Sequence, residues 1–296
     1  MKNSGVTSNR LNDLDGSKWL LFSKSVWDDI VTSSAEKTEH PAQFPLALVR
    51  RLLEVFTRKD DVVLDPFLGS GTTLIACRSL QRYGIGVELS PDYVELTRSR
   101  LAFQTLDAPT EQLVLCADSR RLLQLIDINQ YLEKIGKKCV DFAVTSPPYW
   151  DVLHESRKKT VLPREKHPTQ YSDLDEDVGN IHDYEEFLDS LKDIFGQVFR
   201  LLQPNKYCVI ITMDIRKGSK VYPLHSDIVD MMSSLGFSYQ DVIIWNRDRE
   251  YNYLRPMGYP TTFIVNRVHE YVLIFKKRNS SDTENLVLTA SESARS

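Results

Sequence analysis

A chain of 296 residues, 42% hydrophobic and 26% charged, is long enough for one large α/β domain or two small ones, with the composition of an ordinary soluble globular protein. Its formal net charge of −4 excludes a globally basic nucleic-acid binder, so contact with a polyanion has to come from a local patch. No apolar run reaches membrane-spanning length, residues 1–16 are polar rather than a signal sequence, and Cys77, Cys116, Cys139 and Cys208 lack C-x-x-C spacing, which reads as a cytoplasmic chain with reduced thiols.

Residues 1–16 and 279–296 are rich in Ser, Asn, Thr and charge and are expected to be flexible tails. Between them, over 17–278, β-branched runs alternate with helical patterns, which predicts one α/β domain with a mostly parallel sheet and helices on both faces. The first strand falls at 61–65 and a helix follows from about Thr72 to Arg82. A strand at 84–88 leads to Ser90-Pro91, the N-cap and first position of the next helix. Strands at 113–116 and 140–145 come next, then a helical period over 182–202. Pro204-Asn205 turns the chain into a strand over 207–213, a helix at 223–235 ends at Gly236, and strands at 237–245 and 269–276 make seven. Trp19, Phe22 and Trp27 are expected to cover a sheet edge or a ligand mouth. Two long loops stand out, 151–180 and 246–262, and the first exceeds a routine connection in a compact domain.

The loop from Asp65 to Thr73, D-P-F-L-G-S-G-T-T, lies where the first strand turns into the first helix, the place where open α/β sheets bind ligands. It lacks the lysine of a phosphate-binding Walker loop and does not match G-x-G-x-x-G. The first three strands end at or near an acid, Asp65, Glu88 and Asp118. Like-charge repulsion disfavours a pyrophosphate there and favours a cation. S-adenosylmethionine fits, with Glu88 placed to accept from the ribose hydroxyls and Asp118 from the adenine amine.

After the fourth strand comes Ser146-Pro147-Pro148-Tyr149. Two prolines fix two φ angles and remove two backbone donors, leaving a stiff ledge with outward carbonyls, a small hydroxyl and an aromatic ring. Such a ledge holds a flat ring by stacking while its oxygens accept from an exocyclic amine.

Glycine loop and ledge together resemble the S-adenosylmethionine-dependent DNA amino-methyltransferases, of the N4-cytosine and N6-adenine type, over about residues 37–277. The resemblance makes Ser146, Pro147, Pro148 and Tyr149 the catalytic tetrapeptide. It assigns the cofactor to Lys37, His40, Pro41, Ala42 and Phe44 of the preceding segment, to Asp65, Pro66, Phe67, Gly69, Ser70, Gly71 and Thr72, and to Glu88, Leu89, Asp118 and Ser119. Residues 267–271 with Phe275 and Lys276 resemble the late strand behind the target-base pocket. The implied fold is the Rossmann-like methyltransferase sheet of order 3-2-1-4-5-7-6 with strand 7 antiparallel. Within the family, Ser at the first ledge position leans towards N4 of cytosine, and Asp or Asn towards N6 of adenine.

The implied partner is double-stranded DNA with the target base flipped out, beside a cognate restriction endonuclease or a partner subunit. Candidate DNA contacts are Trp150, the basic run with Arg157, Lys158 and Lys159, and the interleaved Arg247, Arg249, Tyr251, Tyr253 and Arg255. No His/Cys/Asp group has metal-ligand spacing, so no metal is expected. Two other readings stay open at the level of sequence: the same chemistry on N6 of adenine or on RNA, and a catalytically silent nucleic-acid-binding subunit.

Overall fold

A computed structural model of the chain describes residues 10–30, 44–104, 110–150, 174, 176–250 and 256–279. In chain order the elements are α1 (Gly16–Phe22), β1 (Val26–Trp27), α2 (Leu46–Phe56), β2 (Val62–Asp65), α3 (Thr72–Ser79), β3 (Tyr83–Glu88), α4 (Pro91–Ala102) and β4 (Gln112–Cys116). They continue with α5 (Ile126–Lys134), β5 (Val140–Thr145), α6 (Tyr184–Leu201), β6 (Leu202–Thr212), β7 (Ile215–Lys217), β8 (Lys220–Tyr222), α7 (Leu224–Ser234), β9 (Phe237–Asn246) and β10 (His269–Lys277).

Eight strands form one sheet in the order β1-β9-β10-β6-β5-β2-β3-β4, with β10 antiparallel to both β6 and β9. The expected seven-stranded sheet is thus changed by one strand. β1 is added beyond β9 and pairs with it in parallel, Val26 opposite Ile244 and Trp27 opposite Trp245. The edge expected to be covered by Trp27 is instead extended by it, and its ring is buried. β7 and β8 form a separate two-stranded ribbon.

Strands buried on both faces explain the continuous apolar runs. Along β6, Cys208 and Ile210 face a core shared with α5, α6 and α7, while Val209 and Ile211 face one shared with α2 and α3. β10 repeats the alternation, Leu273 and Phe275 against Val272 and Ile274. α2 presents Leu48, Val49, Leu52, Leu53 and Phe56 as one buried stripe. α6 begins at Asp183, whose carboxylate accepts from Glu185 and Glu186 N–H groups at 2.9 and 3.0 Å.

Local details differ from the sequence reading. Ser90 is the N-cap of α4, but its side chain makes no capping bond; Glu88 accepts the Ser90 N–H instead, at 2.8 Å. Pro204-Asn205 does not precede β6 but lies within it, with Asn205 at φ 64° and a register shift against β5 between Val140 and Phe142. The packed chain begins inside the stretch expected as a tail: Asn12 and Leu14 are buried, and Asn12 donates to the Val55 carbonyl at 2.6 Å. Cys116 is exposed. No helix among the described residues is long and apolar enough to cross a membrane.

Candidate functional site

The C-terminal ends of β2, β3, β4 and β5 open onto one cavity, and hydrogen bonds between their loops fix its walls. Asp65 ends β2 with 2% of its surface exposed. One carboxylate oxygen accepts from Thr145 Oγ1 at 2.6 Å and the Phe67 N–H at 3.1 Å; the other accepts from Thr73 Oγ1 at 2.6 Å. Thr145 ends β5, so Asp65 ties the glycine loop to the strand that carries the ledge. Burial pushes its pKa up to about 6, against the pull of Thr145, Thr73 and the Phe67 amide.

The glycines permit a close approach at the start of α3. Gly71 sits at φ 84°, where a Cβ would come within 2.4 Å of Thr97 Cγ2. Thr72 follows as the first residue of α3. The residue lines the cavity, and its hydroxyl is buried and without a hydrogen-bond partner among the described residues.

Glu88, at the end of β3, accepts from the Gly69 N–H on one oxygen and the Ser90 N–H on the other, both at 2.8 Å. Each oxygen keeps a lone pair for a ligand hydroxyl. Burial raises its pKa to about 7, opposed by those two amides and reinforced by the charges of Asp177 and Asp65. Asp118 also lines the cavity, but both its oxygens already accept from Arg120 Nε at 3.1 and 3.0 Å. A role towards an adenine amine therefore requires Arg120 to share the carboxylate. Ser119 donates its hydroxyl to the Pro66 carbonyl, joining two of the loops.

Ser146, Pro147 and Pro148 line the same cavity as Asp65, Glu88 and Asp118. Tyr149 is half-buried and is not among the lining residues. Ser146 Oγ donates to Tyr149 Oη at 3.1 Å, and Tyr149 Oη donates to Glu270 Oε2 at 2.9 Å. Glu270 lies on β10 and also accepts from Arg247.

Of the expected cofactor residues, Phe44, Asp65, Pro66, Phe67, Gly69, Ser70, Thr72, Glu88, Leu89, Asp118 and Ser119 line this one cavity. Lys37, His40, Pro41 and Ala42 lie outside the described residues, as do Arg157, Lys158, Lys159, Tyr251, Tyr253 and Arg255. Two expected DNA contacts are corrected. Trp150 is 3% exposed, its ring edge-on to Tyr184 and Tyr222 at 5.1 and 4.8 Å, so it packs inside the protein. Arg247 turns inward onto Glu270 and Glu250, its guanidinium 4.7 Å from the Trp245 ring centre. Arg249 is exposed.

Sequence reasoning missed Tyr93, Glu176, Asp177 and Val178 on the cavity wall. Asp177 is buried and caps a short 3₁₀ turn, accepting from the Gly179 N–H at 2.8 Å. It belonged to an acidic stretch of a long loop. The link to the site is tertiary, since Arg120 Nη2 donates to the Glu176 carbonyl at 3.1 Å.

The DNA methylase family model N6_N4_Mtase matches residues 6–99 and 140–293. Over 69 residues the chain is 46% identical to Type II methyltransferase M.ScaI of Streptomyces caespitosus, covering 23% of each chain. Over 79 residues it is 46% identical to Type II methyltransferase M2.MboI of Moraxella bovis, covering 26% of this chain and 29% of that one. The matched segments span less than a third of these relatives. A solved structure described as a DNA modification methylase from Thermus thermophilus, complexed with S-adenosyl-L-methionine, is 30% identical at a TM-score of 0.36, covering 55% of this chain and 54% of that one. With the family match extending across both the glycine loop and the ledge, the chain belongs to the DNA methylase family.

Proposed function

We propose that the chain is a site-specific DNA methyltransferase acting on the exocyclic N4 amine of a flipped-out cytosine, in a restriction-modification or defence setting. One observation carries the reading: the acid-lined glycine loop and the Ser146–Pro148 ledge wall a single cavity. The cofactor is S-adenosylmethionine. The residues present fit it: acids for its cationic groups, the unpartnered Thr72 hydroxyl at the start of α3 for its carboxylate, and Glu88 for its ribose hydroxyls. When bound, it supplies an electrophilic methyl group on a sulfonium.

The amine of cytosine is a poor nucleophile because its lone pair is delocalised into the ring. Ser146 Oγ and the Pro147 carbonyl accept from its two hydrogens and favour a more tetrahedral nitrogen. Tyr149 holds the base by its ring. Alignment supplies much of the rate in such an in-line displacement. Because the amine is buried in duplex stacking, the base has to leave the helix. Tyr259 and Phe263, 78% and 93% exposed, with the exposed Arg249, support a DNA-facing surface after β9.

Mass spectrometry of nucleosides from DNA incubated with the protein and S-adenosylmethionine tests the reading. N4-methylcytosine is the expected product. N6-methyladenine alone would overturn the base assignment, and no methylated nucleoside would overturn the enzyme.

The raised carboxylates predict a pH dependence of cofactor binding. Their folded pKa values lie above those of an unfolded chain, so between about pH 4 and pH 7 the folded protein binds more protons. The stability these two groups contribute therefore falls as pH rises through that window. A cation and a diol that require both groups ionised restore it. Affinity for S-adenosylmethionine should accordingly rise roughly tenfold from about pH 6 to about pH 7.5. Calorimetry at both pH values checks this, and equal affinities would sink it.

A further inference from the structure

Behind the ledge runs a chain of hydrogen bonds whose direction has a chemical consequence. Ser146 Oγ lies 3.1 Å from Tyr149 Oη, which lies 2.9 Å from Glu270 Oε2. The other oxygen of Glu270 accepts from Arg247 Nη1, and Arg247 is itself held by Glu250 Oε2 at 2.7 Å. Glu270 is 4% exposed and sits opposite Trp245 in the β9–β10 ladder, so its carboxylate is fixed by the sheet. We propose that Glu270, clamped by Arg247, is a positioning residue that sets the polarity of this chain and makes Ser146 an obligate acceptor towards the target amine. This rests on the methyltransferase reading of the cavity.

An ionised carboxylate only accepts hydrogen bonds. Tyr149 must therefore donate to Glu270, which leaves its oxygen to accept from Ser146. Ser146 spends its only hydrogen on Tyr149, and what remains to face the cavity is lone pairs. A serine with a free rotor could equally point its hydrogen at the substrate, where it would repel an amine and welcome a carbonyl. Glu270 thus selects a base edge that donates over one that accepts, without touching the base. Burial raises the pKa of Glu270, and the Arg247 guanidinium and the Tyr149 hydroxyl pull it back towards the ionised form.

Glu270→Gln inverts the chain at nearly constant shape. Arg247 holds the amide oxygen on its own side, so the amide nitrogen faces Tyr149 and donates to it. Tyr149 then donates to Ser146, whose hydrogen is released into the cavity. The test is methyl-transfer kinetics of the full chain, with S-adenosylmethionine and the DNA the wild type methylates, on Glu270→Gln alone and combined with Tyr149→Phe. The expected result is a kcat lower by about tenfold to thirtyfold with KM values within about twofold, and little further loss when Glu270→Gln is added to Tyr149→Phe. A raised KM at unchanged kcat, or a loss that adds fully to that of Tyr149→Phe, would overturn the proposal. A second readout needs no activity: with ring-labelled tyrosine, the Tyr149 ¹³Cζ resonance, assigned by its absence in Tyr149→Phe, should move upfield in Glu270→Gln as the phenol's hydrogen passes from a carboxylate to the weaker acceptor Ser146. An unmoved resonance overturns the chain even where the wild type transfers no methyl group, an outcome that would separately sink the reading of the site.

Discussion

Asp65→Asn is expected to fold and to bind S-adenosylmethionine at least 100-fold more weakly, on the order of 3 kcal/mol. The carboxylate is 2% exposed and lines the cavity, so its charge acts through a poorly solvated space. Asparagine keeps the shape and one acceptor oxygen, and the hydroxyls of Thr73 and Thr145 can rotate to accept from its amide. What it removes is the charge. Asp65→Ala is the contrasting variant, because it strands three donors: Thr145 Oγ1, Thr73 Oγ1 and the Phe67 N–H. Each unsatisfied buried group costs about 1–3 kcal/mol, so alanine should lower stability by several kcal/mol as well as binding. Calorimetry on Asp65→Asn with a thermal melt as control separates the two effects. Wild-type affinity in a folded Asp65→Asn protein would remove Asp65 from the cofactor site.

Much of the fold was legible because strands buried on both faces leave continuous apolar runs. Val62–Asp65 and Val140–Thr145 are buried throughout, and a short, largely apolar run between turn residues fits a strand covered on both sides better than a half-exposed one. β1 was not legible. Two residues have no period, and Val26–Trp27 becomes a strand only through pairing with β9, far away in sequence. The β7–β8 ribbon, three residues each side of a turn with Gly218 at φ 61°, is equally short.

The site was legible where its residues follow strand ends, since a turn after a buried strand has one place to go in an open sheet. It was illegible where meaning depends on a distant partner. Interleaved Arg and Tyr after β9 look like a nucleic-acid surface, yet Arg247 has its acids three residues ahead at Glu250 and across the sheet at Glu270. Trp150, next to the ledge, could have walled a base pocket as easily as filled a core. Its φ of 52° turns the ring towards Tyr184 and Tyr222, elements contributed by α6 and β8. Asp177 read as one more charge in a long loop. Only the fold brings it beside Glu88, where its charge helps to raise that group's pKa.

Ser146→Ala should lower kcat for methyl transfer by about 100-fold to 1,000-fold while leaving the affinity for S-adenosylmethionine within about twofold. The hydroxyl is asked to act on a nitrogen that gains tetrahedral character and positive charge as the new bond forms. An acceptor on that nitrogen's hydrogens is stronger in the transition state than with the planar ground-state amine, so its loss falls on kcat rather than KM. The Pro147 carbonyl remains as the second acceptor, which is why a residual rate is expected. The substitution is small and half-buried, and it costs Tyr149 one accepted hydrogen bond, worth about 1 kcal/mol of stability. Single-turnover kinetics with the cofactor-loaded protein in excess over DNA isolate the chemical step from product release. A variant that methylates at the full rate would refute the role of the hydroxyl and leave the prolines and the carbonyl as the whole of the ledge's chemistry. A variant that loses cofactor affinity instead would assign Ser146 to cofactor binding at the cavity it lines.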